Sequence, residues 1–182
     1  MKHLILKVIN FSLLLLPITI CYGINNLVLA HNLINSLTKE LIQAKQKTDI
    51  AILFPKRIAS DPANKKYYAF ADLTASPGYR IYIDSTASCH GVHTCNIGTV
   101  TAELGGNPTI YYDMNNKEIT IPVILTNNLK AYYTPGHAMG DYWPPRIVWR
   151  DKNVLYTISW QLNPAIAQQA IIAMANSMLT TK

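Results

Sequence analysis

From Asn32 to Lys47 apolar side chains return at spacings of three and four. Leu33, Leu37, Leu41 and Ala44 fall on one face, and Ile34 and Ile42 widen it. Lys39, Glu40, Gln43 and Lys47 fall elsewhere, so the segment predicts an amphipathic helix packed onto something larger. Past Asp49 the period shortens to two. Tyr79, Ile81 and Ile83 alternate with Arg80, Tyr82 and Asp84, the pattern of a strand with one buried face. Short strands are also expected over Ala51–Phe54, stopped by Pro55, and over Tyr67–Leu73, joined to Tyr79–Ser85 by Thr-Ala-Ser-Pro-Gly. Another runs from Asn96 to Leu104, ahead of Gly-Gly-Asn-Pro.

Three hairpins follow. Thr109–Met114 meets Lys117–Leu125 across Asn115-Asn116, and Leu129–Tyr133 returns across Asn127-Asn128. Asparagine tolerates the positive φ that tight hairpin turns demand. Pro122 has no N–H for a ladder, which places its strand at a sheet edge or a bulge. Arg146–Arg150 and Val154–Gln161 then flank Asp151-Lys152-Asn153, with Val154, Tyr156, Ile158 and Trp160 sharing a face. Asn163 can cap a last helix, Pro164 suits its first turn, and Ile171, Met174, Ala175 and Met178 form its stripe. The pattern predicts an α+β fold. Its parts are an N-terminal helix, a curved antiparallel β-meander of about seven to nine short strands, and a C-terminal helix packed on the sheet.

The first residues change the picture of where this domain works. Lys2 and Lys7 precede an apolar run over residues 8–20, short for a membrane span, and Cys21-Tyr22-Gly23 offers small side chains for cleavage. Residues 1–23 are therefore expected to be a signal peptide, and residues 24–182 a single domain. Cleavage after Ala30 is an alternative, and Cys21 raises lipidation as another, although Ile20 before it is large for that processing. A secreted or periplasmic protein with no transmembrane segment after signal cleavage is the expectation. Residues 24–182 hold 14 of the 16 Lys and Arg against all 10 Asp and Glu, a formal +4 without a basic stripe. Nucleic acid is accordingly not an expected partner.

Candidate chemistry concentrates in "SCHGVHTCNIG", residues 88–98. Cys89 and Cys95 are the only cysteines beyond Cys21. In an oxidising space they are expected to form a disulfide at the junction of two strands. His90 and His93 lie between them; with His137 they make a candidate copper site, imidazole being a good ligand for that metal. No cofactor is otherwise implied. A second candidate is "YYTPGHAMGDYWPPRIVW", residues 132–149, whose rings are expected either to bind a partner or to cap the sheet. From it Tyr133, His137, Tyr142, Trp143 and Arg146 are the candidate binding residues. Ser36-Leu-Thr-Lys39 matches a serine-enzyme tetrad but lacks the companion motifs, and no nucleophile elbow, zinc helix or phosphate loop occurs. The chain reads as a non-catalytic binding domain whose partner is an envelope protein, a glycan or a lipid, ahead of a metal-binding protein or a small hydrolase.

Between Thr48 and Met178, "TDIAILFPKRI", the short Cys…Cys turn, "PPRIVWRDKNVLYTISW" and "IIAMANSM" resemble a group of uncharacterised secreted bacterial proteins. The last two stretches are similar to the sheet-then-helix ending of periplasmic sensor domains that regulate anti-sigma factors. The resemblance implies a fold, not an activity. Such proteins often carry a further cysteine pair before the Pro-Pro, where "GHAMGDYWPP" has none.

Overall fold

A computed structural model of the chain describes residues 27–29, 48–59, 66–73, 78–137 and 143–180. The helix expected over 32–47, Cys21 and both cleavage sites lie outside the described residues. Strand β1 (Leu27–Leu29) pairs antiparallel with β2 (Arg57–Ala59) as a two-stranded ribbon. Seven more strands make one antiparallel sheet: β3 (Tyr68–Asp72), β4 (Gly78–Asp84), β5 (Asn96–Leu104), β6 (Ile121–Ile124), β7 (Lys130–Thr134), β8 (Arg146–Asp151) and β9 (Val154–Trp160). Helix α1 (Pro164–Leu179) closes the chain and packs against β2, β8 and β9. The α+β class and the antiparallel sheet with its closing helix are as expected.

The strand order is β3-β4-β5-β9-β8-β7-β6, which departs from a single meander. Two meanders, β3–β5 and β6–β9, meet at a β5–β9 seam where Val100 opposes Ile158 and Gly98 opposes Trp160. Residues 105–120 carry the chain from β5 to the far edge. Arg150 ties that segment down by donating to the Gly105 carbonyl (2.7 Å) and to Asn107 Oδ1 (3.0 Å). Further along, the hydroxyls of Thr120 and Thr134 meet at 3.4 Å.

Alternation sorts the side chains into two faces. Tyr79, Ile81, Ile83, Val100, Ala102, Ala131, Ile147, Trp149, Ile158 and Trp160 are buried on the face that meets α1. The helix answers with Ala167, Ala170, Ile171, Met174, Ala175 and Met178, all buried. Each large side chain so buried stabilises the fold by roughly 1.5–3 kcal/mol. Asn163 Oδ1 accepts the Ala165 N–H at 3.0 Å, the expected cap, with Pro164 in the first turn.

Two local expectations are corrected. Ala51–Phe54 is not a strand, because core side chains take its backbone groups. The Tyr79 hydroxyl bonds both the N–H and the carbonyl of Leu53, and the Tyr156 hydroxyl donates to the Ala51 carbonyl. Pairing begins only at β2. The expected hairpin from Thr109 shrinks to a Tyr112–Glu118 bridge around Asn116, whose φ is 56°. The next turn is formed as expected, Asn127 and Asn128 having φ of 62° and 58°. Leu125 donates to Leu129 there, so by alternation Pro122 opposite Tyr132 is a non-bonded pair. The missing donor of Pro122 faces outward, and β6 is indeed a sheet edge.

Candidate functional site

The β7–β8 hairpin ends in a narrow extension. His137 and Trp143 exchange backbone hydrogen bonds of 2.9 and 3.2 Å, and their rings stack at 4.8 Å with 22° between planes. Gly136 permits this closure, since a Cβ there would sit 2.6 Å from Pro145 Cδ. The Trp143 indole N–H donates to the Pro135 carbonyl at 3.3 Å. Tyr142 lies outside the described residues.

The other two candidate binding residues point to opposite faces of the sheet. Tyr133 opposes Ile147 on the helix face and is buried, which raises its pKa. Arg146 opposes Thr134 on the outer face, beneath the 105–120 crossing. Its guanidinium lies 4.6 Å from the Tyr111 ring centre, and Nη1 donates to the Tyr111 hydroxyl at 2.6 Å. Among the described residues, Arg146 Nε and His137 Nδ1 are buried without a hydrogen-bond partner.

On the helix face, Tyr133 and Pro135 open onto a groove of 470 Å³. Ile121 of β6 forms one wall, and Pro164, Ala165, Gln168, Gln169 and Ile172 of α1 form the other. Pro135, which lines the groove, also accepts the Trp143 indole N–H. Sequence reading did not single out the groove's helical wall. The signal was there, because Ile172 is apolar yet falls outside the buried stripe of α1.

Cys89 and Cys95 form the expected disulfide, with Cα atoms 5.8 Å apart. The loop folds back onto Asp84, which is buried at a register shift in β4. Asp84 Oδ2 accepts the Gly91 N–H at 3.0 Å and Oδ1 accepts from Asn96 Nδ2 at 2.9 Å. His90 and Gly91 both take left-handed conformations, φ 49° and 79°.

The structure does not gather His90, His93 and His137. The first two belong to the β4–β5 connection and the third follows β7. His90 packs against Phe70 of β3, and β4, β5, β9 and β8 stand between that strand and β7. Among the described residues no group of three or more His, Cys, Asp or Glu is placed to hold a metal ion. Among those residues, too, no helix is long and apolar enough to cross a membrane.

No family model matches the chain, and neither a curated protein nor a solved structure matches it.

Proposed function

We propose that the protein is a secreted or periplasmic binding domain, working without catalysis, whose contact surface is the groove between the β6–β7 edge and the start of α1. The groove itself carries this reading. Its apolar walls from Ile121, Tyr133, Pro135 and Ile172, with the amides of Gln168 and Gln169, suit an extended segment of an envelope protein. The Cys89–Cys95 bond supports an oxidising compartment, and the basic-then-apolar start of the chain supports export.

Gln168 is exposed on α1, so filling the groove from it leaves the core untouched. Gln168→Trp is expected to abolish retention of the protein on an envelope fraction of the producing cell, with an unchanged melting temperature. Retention equal to that of the unsubstituted protein overturns the groove as the contact surface.

A further inference from the structure

The outer face of the first meander carries an aromatic panel that the core does not need. Phe70 of β3 opposes Tyr82 of β4, and their rings stack at 6.4 Å with 21° between planes. His90 adds a third ring, 4.6 Å from Phe70. Phe70 is 38 % exposed, and His90 is exposed beside it.

Several features of the loop hold this panel in place. Gly91 lies so close over Tyr82 that a Cβ would meet its ring at 2.5 Å. The disulfide and Asp84 fix the loop that delivers Gly91 and His90. His90 does this at positive φ, a conformation uncommon for a side-chain-bearing residue. Strain kept on an exposed surface is a pointer to function.

The neighbours on the same face are polar. Asp72 opposes Arg80, one step along from the Phe70–Tyr82 pair. Thr99 opposes Tyr82 and Thr101 opposes Arg80 on the next strand. Arg80 Nη1 donates to the Tyr82 hydroxyl at 3.2 Å. That bond raises the guanidinium pKa first of all, with the charges of Asp72 and Glu103 adding to it. Arg80, faced by the carboxylates of Asp72 and Glu103, offers little to an anionic ligand. Flat rings beside a carboxylate, a guanidinium and hydroxyls fit a ligand with an apolar C–H face and an equatorial rim of hydroxyls.

We propose that this face is a binding site for a neutral oligosaccharide, with one pyranose ring against the exposed Phe70 ring, which Tyr82 backs, and its hydroxyls directed to Asp72, Arg80 and His90. The ring faces carry partial negative charge that attracts the sugar C–H groups, and the panel is already ordered before the ligand arrives. The site goes beyond the groove and shares no residue with it, so either can fail alone.

The test is saturation-transfer NMR and calorimetry with chitotetraose, cellotetraose and maltotetraose as probes and a heparin tetrasaccharide as the anionic comparison. Transfer to the C–H face of at least one neutral probe is expected, with no binding of the heparin fragment. Phe70→Ala is expected to weaken that probe at least about tenfold, a loss of about 1.4 kcal/mol, and Asp72→Asn to weaken it while leaving the ring contacts. Tyr112→Ala, on an exposed ring outside the panel, is expected to change nothing. The proposal is overturned if none of the three neutral probes binds, or if heparin binds through Arg80. It is equally overturned if Phe70→Ala lowers the melting temperature while sugar binding stays as it was.

Discussion

Tyr79 and Tyr156 stand in the core with their hydroxyls turned to backbone groups of residues 51–53, so each phenol holds down the strap that replaces an expected strand. Burial, the largest cause in both, pushes the two pKa values up, that of Tyr156 to about 12. A phenolate could no longer donate to the Ala51 carbonyl. A proton held more tightly when folded gives stability that is complete below the unfolded value of about 10 and is lost as pH rises toward the folded one. The urea midpoint is therefore expected to stay level from about pH 7 to about pH 9 and to fall by about pH 11. Tyr156→Phe is expected to lessen that fall, and an alkaline fall of equal size in the variant would contradict the assignment. Sequence periodicity placed both tyrosines on buried faces. It gave no sign that their hydroxyls would take the backbone groups of Ala51–Phe54, because that competition is settled in three dimensions.

At the scale of elements, the β4–β5 connection is where the sequence was most informative. The cysteines stand at the boundary of two expected strands, and the second of them, Asn96–Leu104, is β5 with those bounds. Replacing both cysteines by serine is expected to cost about 2–3 kcal/mol in urea unfolding, by the loop entropy returned to the unfolded chain. Mass spectrometry of the unreduced protein should find it two hydrogens lighter than the dithiol form. The candidate site was less legible. Tyr133 and Arg146 look like one cluster along the chain, yet a strand sends neighbouring positions to opposite faces and the hairpin pairs Thr134, not Tyr133, with Arg146. The aromatic panel was missed for a related reason. Phe70 and Tyr82 occupy outward positions where polar residues are the expectation, and only the β3–β4 register shows that they oppose each other.

For the whole molecule, the two meanders are each built from neighbouring segments, while the seam between them joins residues 98–104 to residues 154–160. A sheet centre made of such distant segments carries a large loop-closure cost before its contacts are gained. Refolding from urea is thus expected in the millisecond-to-second range typical of sheets with remote pairings. A chain stopped at Asn153 keeps β3 to β8 but lacks both β9 and α1, and it is expected to show no cooperative unfolding transition; a sharp one would place the organising core within the first meander. During synthesis β5 waits as an open edge until residues 154–160 emerge, a delay set by chain order and loop closure. The strand that completes the middle of this sheet is made after its six others, so the folded state is reached by closing the centre after the margins.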